Sequence, residues 1–377
     1  MALPFLDKFK KEIAKLDTVG VGLKTTEYWL STGNYALNRA LSGNFLHGIP
    51  LGKITLFAGP SGSGKSFIAS NICLQAQLAG YHVLFIDSEH AIDVDFLSKI
   101  GCDIRESALT YASVATIEDV NRVLAEFFSN YIKAYGKDNY ADNVQKTIIV
   151  LDSLAMLSST TEMENYDRDG TIKSDQGILA KRRKAMLRLA VGHLGRLPIT
   201  MIVTDHVYPQ DIMMGDGAWA ITNSTKFSSS IIGIITKLKL KDEGEVTGVR
   251  MRFETYKSRF AKLGTKVELE VPYSRGMDST SGLLELLVDM GVTAKGTQPG
   301  EKLAYVAEID GERLVFKEKE FTDEIALKLL KHPACAPMLA RGLAAEPHED
   351  DIEIIVDQDE QPKAKGKKLK AIPTTEE

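Results

Sequence analysis

The residues best suited to chemistry form one short stretch, Gly59-Pro60-Ser61-Gly62-Ser63-Gly64-Lys65-Ser66. It fits the pattern G-x-x-x-x-G-K-[ST], follows an apolar run at 54–58 and precedes a helical pattern. Glycines here allow backbone N–H groups to surround a phosphate, while the lysine can reach the β- and γ-phosphates. The serine hydroxyl can bind Mg²⁺. The stretch therefore predicts a phosphate loop that binds a nucleoside triphosphate.

Three further side chains stand at or just past the ends of other apolar runs, namely Glu89, Asp152 and His206. Carboxyl ends of parallel strands meet at one edge of a sheet, so we expect all three near the phosphate loop. Asp152 is suited to hold Mg²⁺ through water, and Glu89 to orient and deprotonate an attacking water. His206 can donate a hydrogen bond to a γ-phosphate. Together they predict a site that hydrolyses a nucleoside triphosphate.

Two long segments without a regular pattern, 158–174 and 208–230, follow the runs that end at Asp152 and Thr204. Long structureless loops in a compact domain are usually functional. The first leads into a basic helical pattern that predicts contacts with nucleic acid phosphates, although a solvated helix face would have the same pattern. The second contains an apolar trio that could insert between bases or pack on its own domain. The candidate nucleic acid contacts are Lys181, Arg182, Arg183, Lys184, Arg188, Ile212, Met213 and Met214.

A cation pair, Lys257 and Arg259, ends a later β-like run. Residues one apart on a strand point the same way. The pair could therefore bind nucleic acid, or it could supply positive charge to the γ-phosphate of a neighbouring subunit, as an arginine finger does.

The elements that must position these residues alternate between strands and helices. Continuous apolar runs separated by helical patterns predict an α/β fold with a mostly parallel twisted sheet that is covered on both faces. Two later runs alternate more and are expected as antiparallel additions at the sheet edge. The predicted strands are 54–58, 83–87, 147–152, 199–204, 231–238, 246–256 and 266–271.

Four regions are expected along the chain. Residues 1–30 form an amphipathic helix and a linker, 31–276 an ATPase core, and 277–345 a small helical or mixed unit. Residues 346–377 carry an acidic block followed by a lysine-rich block, a composition typical of disordered tails.

The composition limits the classes of protein to which this chain can belong. The 377 residues are 44% hydrophobic and 26% charged with a net charge of −5, which is ordinary for a globular protein. The sequence contains no apolar run of about 18 residues, the length expected of a transmembrane helix, and no secretory signal at its start. Cys73, Cys102 and Cys335 are far apart, which predicts small buried apolar residues or free thiols in a reducing cytoplasm, and neither a metal site nor a disulfide framework.

Taken together, these residues resemble the RecA family of strand-exchange recombinases. The resemblance runs from Ser31 to about Gly291, and its most specific part is Asp87-Ser88-Glu89-His90 at its distance from the phosphate loop. The context of Lys257 and Arg259, the loop sizes and the tail are most similar to bacteriophage recombinases of the UvsX type.

The resemblance implies a RecA-like core that uses ATP and Mg²⁺. Glu89 matches the catalytic glutamate, Lys65 and Ser66 the phosphate-loop pair, and Asp152 the Mg²⁺-linked carboxylate. His206 matches the γ-phosphate sensor, where the bacterial family member usually carries glutamine.

Further positions match family contacts at the edges of the site. Asp93 and Phe96 match the adenine contacts, with Phe96 replacing the more usual tyrosine. Lys257 and Arg259 match the pair that reaches the neighbouring subunit's ATP, and the segments 158–174 and 208–224 match the two DNA-binding loops.

The resemblance also implies partners. They are single- and double-stranded DNA, further copies of the chain in a helical filament, a loading protein and a single-stranded DNA-binding protein, with no membrane. The expected compartment is the cytoplasm, the host's if a phage encodes the chain. Two alternatives stay open: a RecA-fold DNA motor or accessory ATPase without strand exchange, and an ATP-dependent scaffold for protein assembly.

Overall fold

The computed structural model describes residues 4–15, 26, 28–137, 139, 141, 143–171, 176–209, 219–221, 223–242, 245–272, 277–297 and 303–339. The chain forms two compact units, Met1–Leu286 and Leu287–Glu377. The predicted region boundaries stay predictions. The charged tail at 346–377 and the trio Ile212, Met213 and Met214 lie outside the described residues.

The first unit alternates helices and strands, as predicted. Its helices are α1 (Pro4–Ile13), α2 (Tyr35–Ser42), α3 (Lys65–Leu78), α4 (Val94–Ile100), α5 (Ile117–Tyr135), α6 (Thr160–Asp169), α7 (Gln176–Leu194), α8 (Asn223–Ser228) and α9 (Leu283–Asp289), the last of which ends in the second unit. Its strands are β1 (Trp29–Leu30), β2 (Ile49–Pro50), β3 (Ile54–Gly59), β4 (His82–Asp87), β5 (Leu109–Ser113), β6 (Thr147–Asp152), β7 (Ile199–His206), β8 (Tyr208–Pro209), β9 (Trp219–Ala220), β10 (Ile231–Asp242), β11 (Glu245–Ser258) and β12 (Lys266–Pro272).

One eight-stranded sheet dominates this unit, in the order β12-β11-β10-β3-β7-β6-β4-β5. The pairs from β10 to β5 are parallel, whereas β11 and β12 pair antiparallel at one edge. The predicted parallel sheet with antiparallel additions is therefore confirmed. The opposite edge strand, β5, was not predicted from the sequence, because only its first residue, Leu109, is buried and the strand therefore has no continuous apolar run.

Helices cover both faces of this sheet, which explains why β3 and β6 are buried along their whole length. Side chains of a strand alternate between faces, so Leu56 and Phe57 enter different cores. One core packs Phe57 and Phe85 with α2, α3 and α4. The other packs Leu56 and Leu84 with α5 and α7. These two cores hold the carboxyl ends of the strands in fixed positions.

The segment 158–174 differs from its prediction as a structureless loop. Residues 160–169 form helix α6, which has no buried residue. Its start is fixed by a capping box: Glu162 N donates to Ser159 Oγ at 3.2 Å, and Ser159 N donates to Glu162 Oε2 at 2.8 Å. Local capping, and not burial, therefore explains this helix.

Helix α1 confirms the predicted N-terminal amphipathic helix. Phe5 and Phe9 stack with their ring centroids 6.2 Å apart, and the two side chains are 73% and 47% exposed. Within the part of the chain that the structure describes, no helix has the length and apolar character needed to cross a membrane.

The second unit contains a three-stranded antiparallel sheet of β13 (Ala294–Lys295), β14 (Ala304–Ile309) and β15 (Glu312–Lys317). A short 3-10 helix (Glu318–Glu320), α10 (Asp323–Leu330) and α11 (Ala336–Leu339) follow. This part of the chain therefore has the mixed character expected of it. Cys73, Cys102 and Cys335 are all buried, and none of the three forms a disulfide bond.

Candidate active site

Four neighbouring parallel strands bring the phosphate loop, Asp152 and His206 together at the carboxyl end of the large sheet. Gly59 at the end of β3 lies beside His206 of β7, and Asp87 at the end of β4 lies beside Asp152 of β6. Because these strands are adjacent in the order β3-β7-β6-β4, the phosphate loop and the carboxylates converge. This is the position where open α/β sheets bind ligands.

The phosphate loop has the backbone that a phosphate cradle requires. Gly62 and Gly64 have φ values of 67° and 100°, in the left-handed region that favours glycine. A Cβ on Gly59 would lie 2.3 Å from the Ile235 carbonyl oxygen, so this position also needs glycine. Ser63 Oγ is buried and has no hydrogen-bond partner among the described residues. A cradle with an unsatisfied buried hydroxyl fits a triphosphate.

Lys65 and Ser66 begin helix α3 and face the same edge of the sheet. Lys65 is 5% exposed and its Nζ donates to the carbonyls of Gly59 and Pro60 at 3.1 and 3.0 Å. Burial lowers the pKa of Lys65, and the carboxylates of Glu89, Asp152 and Asp205 oppose that shift. The ammonium therefore lies among negative groups, beside the loop that it would serve.

Asp152 is the carboxylate best placed beside a phosphate-bound cation. Its carboxylate accepts hydrogen bonds from the hydroxyls of Thr204 and Ser66. Burial raises the pKa of Asp152, and these two hydrogen bonds oppose the rise. No cluster of three or more His, Cys, Asp or Glu side chains suited to a metal occurs in the described ranges. The Ser66 hydroxyl and Asp152 offer the hard oxygen ligands that Mg²⁺ prefers, and they would hold it beside the phosphates.

Glu89 and His206 lie close together. His206 Nε2 is 3.5 Å from Glu89 Oε1, with side chains 20% and 28% exposed. Both groups are therefore accessible to a water and a phosphate at the loop. The pattern did not show that the two side chains contact each other.

Asp93 and Phe96 occupy the first turn of α4. Asp93 is the N-cap, and its Oδ1 accepts from Phe96 N at 2.7 Å. Phe96 packs partly against the core between the sheet and α3. Contact with an adenine stays a prediction for both.

The basic helical pattern lies on α7 and divides into two groups. Lys181, Lys184 and Arg188 are exposed and share one helix face. Arg182, in contrast, pairs with Glu118 of α5 at 2.5 Å. Arg183 donates to the carbonyls of Ala155 and Leu157 at 3.0 and 2.8 Å, and so it holds the segment that follows β6. DNA contact stays a prediction for all five cations, but Lys181, Lys184 and Arg188 are exposed, whereas Arg182 and Arg183 are half-buried and bonded to the rest of the unit.

Lys257 and Arg259 lie at the opposite end of the sheet. Lys257 Nζ donates to the carbonyls of Lys226 and Ser229 at 2.7 Å each, just before β10 begins. Burial lowers the pKa of Lys257, with Arg259 and Lys226 adding to the effect. Burial also lowers the pKa of Lys53, which immediately precedes β3, and the charge of Arg259 adds to this effect. Since β3 and β10 are parallel, this cation pair lies away from the phosphate loop of its own chain.

Asp205 was not singled out by the sequence, yet it is 3% exposed between the sheet and α7. Its Oδ1 accepts from His206 N at 3.0 Å and its Oδ2 from the Thr225 hydroxyl at 3.4 Å. Burial raises the pKa of Asp205 to about 6, against the opposing charge of Arg183. A strand-end aspartate gives no sign of such burial in a sequence.

Asp205→Asn should change how stability depends on pH. A carboxyl whose pKa is raised on folding stabilises the folded state at low pH, and this contribution is lost as pH rises from about 4 through about 6. The full difference corresponds to about 3 kcal/mol at most. We expect the variant to gain stability over the unsubstituted protein between pH 4.5 and pH 7.5 in denaturant unfolding at each pH. Asp167→Asn, on exposed α6, is the control. If the free energies of unfolding of Asp205→Asn and of the unsubstituted protein changed in parallel with pH, the raised pKa of Asp205 would be contradicted.

Comparison with known proteins agrees with this geometry. The sequence model of the RecA N-terminal domain matches residues 6–278. The chain is 30% identical over 310 residues to Protein RecA of Corynebacterium glutamicum strain R, covering 80% of this chain and 76% of that protein. It is 26% identical over 327 residues to Protein RecA of a Nocardioides species, covering 85% and 87%. The chain therefore belongs to the RecA family, the DNA-dependent ATPases of homologous recombination.

Proposed function

We propose that this chain binds ATP and Mg²⁺ at the phosphate loop, assembles as a filament on single-stranded DNA, and promotes pairing and strand exchange. One observation carries the proposal: Glu89, Asp152 and His206 surround the phosphate loop, whereas Lys257 and Arg259 lie at the other end of the same sheet. A second copy of the chain is then needed to bring its cations to the ATP.

The chain's own residues divide the work of hydrolysis. Lys65 and the N–H groups of the loop hold the β- and γ-phosphates. Glu89 accepts a proton from the attacking water, and His206 donates to the γ-phosphate. Ser66 and Asp152 would hold Mg²⁺, whose charge would neutralise that of the phosphates. Asp93 and Phe96 border the adenine.

The second copy is required by distance. The six residues of β3 span about 20 Å, which is several times the reach of a lysine side chain. Lys257 and Arg259 lie near the start of that strand's neighbour, and the phosphate loop follows its end. A head-to-tail contact between copies would join the two half-sites, and such contacts generate helical filaments when they do not close.

DNA is proposed to lie along the loops that follow β6 and β7, with the exposed face of α7 contacting phosphates. Replacing Lys181, Lys184 and Arg188 together by alanine should weaken binding to single-stranded DNA of any sequence. For each phosphate that these side chains neutralise, the slope of log affinity against log salt should become shallower by about 0.7. Titration at several salt concentrations measures this. Lys133→Ala, an exposed lysine on α5, is the control, and an unchanged slope would assign this face to solvent.

The finer identity is also a proposal. The context of Lys257 and Arg259, the loop sizes and the charged tail support a bacteriophage recombinase of the UvsX type that works in the host cytoplasm. A loading protein and a single-stranded DNA-binding protein are the proposed accessory partners.

The experiment measures ATP hydrolysis with and without single-stranded DNA, alongside electron microscopy with a non-hydrolysable nucleotide. Stimulated turnover and helical filaments that pair homologous duplex support the proposal. Closed rings would favour a DNA motor. Filaments that do not pair homologous duplex would favour an accessory ATPase. Turnover that does not respond to DNA would favour a scaffold for protein assembly.

A further inference from the structure

The loop that carries Glu89 is fastened to a single buried carboxylate. Asp87 is 0% exposed, and its Oδ1 accepts from the backbone N–H groups of Glu89 and His90 at 2.8 and 2.9 Å. Its Oδ2 accepts from Ile92 N at 3.3 Å. Three backbone donors directed at one anion determine the path of the loop from which the Glu89 side chain extends.

A residue from a different strand completes this arrangement. The Tyr111 hydroxyl donates to Asp87 Oδ2 at 2.8 Å. Tyr111 lies on β5 directly opposite Phe85 of β4, and their rings stack with centroids 6.4 Å apart. The stacking fixes the ring, so the hydroxyl is directed diagonally across the sheet to the carboxylate. Burial and the Asp87 carboxylate raise the pKa of Tyr111 to about 12, so the phenol remains a donor at neutral pH.

The same strand makes a second attachment to the loop. Ser113, two residues after Tyr111 on the same face of β5, has its Oγ 2.8 Å from His90 Nδ1. His90 has a φ of 53°, an uncommon value for a residue that is not glycine. The edge strand therefore holds the loop on both sides of Glu89's backbone, through Asp87 and through His90.

We propose that Tyr111 is a positioning residue for hydrolysis, which acts by fixing Asp87 and through it the Glu89 carboxylate. This inference rests on the proposed function, hydrolysis of ATP. In that reaction, water attacks the γ-phosphorus and gives its proton to Glu89. The bond from the γ-phosphorus to the β,γ-bridging oxygen breaks, and ADP takes its electron pair. A general base is effective only when it lies within hydrogen-bond reach of that water. Tyr111 touches neither the nucleotide nor the water in this role.

Tyr111→Phe tests the proposal because it removes the hydroxyl and keeps the stacked ring. Tyr111 is 43% exposed, so the change leaves no sealed cavity. We expect kcat for DNA-stimulated ATP hydrolysis to fall about 3- to 10-fold, with KM for ATP and affinity for single-stranded DNA unchanged. Tyr131→Phe, which removes a hydroxyl that donates to the Gln145 carbonyl at 2.7 Å, is the matched control.

A second comparison separates positioning from a general loss of structure. In a Glu89→Gln background the base is already absent, so Tyr111→Phe should reduce the residual rate by less than about 1.5-fold. Equal losses in both backgrounds, a raised KM with unchanged kcat, or Tyr111→Phe turnover equal to that of the unsubstituted protein would each overturn the proposal. Absence of DNA-stimulated turnover in the unsubstituted protein would instead overturn the proposed function, and this inference with it.

Discussion

Glu89→Gln should reduce ATP hydrolysis by about two to four orders of magnitude, because an amide cannot accept the proton of the attacking water. ATP and DNA should still bind, since the phosphate loop and the exposed face of α7 are untouched. The amide retains an oxygen that can accept from His206 Nε2, which lies 3.5 Å from the carboxylate. Single-turnover hydrolysis and filter binding measure the two effects separately.

A conservative change of another exposed carboxylate provides the control for this prediction. Glu126→Gln, on the exposed face of helix α5, should leave hydrolysis unchanged. If Glu89→Gln turned over ATP at the rate of the unsubstituted protein, the general base would have to be another group, and the assignment of Glu89 would be wrong. Loss of ATP binding in the variant would likewise contradict the division of roles.

Lys257→Ala should reduce hydrolysis by about two to three orders of magnitude on its own and regain it when mixed with Glu89→Gln. One variant retains the base and the other retains the cation. In a mixed filament, some phosphate loops belong to a Lys257→Ala subunit, which retains Glu89, and face the cation pair of a Glu89→Gln subunit, which retains Lys257. Such an interface contains both functional groups. In a randomly mixed equimolar filament, about a quarter of the head-to-tail interfaces have this arrangement, so about a quarter of the normal rate should return.

The mixing experiment distinguishes a site shared between two copies of the chain from a site formed within one copy. Hydrolysis completed within one chain would give no recovery at any ratio of the two variants. Because Lys257 also donates to the carbonyls of Lys226 and Ser229, Arg259→Ala is the companion variant that leaves those bonds in place. Lys262→Ala, a nearby exposed lysine, should retain full activity alone and serves as the control.

The sequence alone was sufficient to predict the strands and helices whose pattern of apolar residues is determined by burial. The runs at 54–58 and 147–152 became β3 and β6 because both faces of these strands are buried, which leaves a continuous apolar signal. Helix α6 gave no such signal, since it has no buried residue. Its capping box, Ser159 with Glu162, was readable in the sequence and would have predicted its start.

The same distinction applies to the candidate active site, where some residues could be predicted from the sequence and some contacts could not. Residues at strand ends could be assigned because the topology of a parallel sheet brings those ends together. The contact of Tyr111 with Asp87 could not, because it depends on which strand lies beside β4 and in which register. The engagement of Arg182 with Glu118 also depends on tertiary packing, and a run of four cations gives no sign of it.

In the proposed head-to-tail filament, the placement of Lys257 and Arg259 at the start of the sheet, with the phosphate loop at its end, would also make the two ends of the filament chemically different. At one end the last subunit holds ATP that no neighbour's cations reach, so this ATP should persist while the ATP of interior subunits is consumed. At the other end the cation pair faces solvent and can receive a newly arriving ATP-bound copy. Growth and disassembly should therefore proceed at different rates at the two ends, with the persistent terminal ATP acting as a cap that protects one of them.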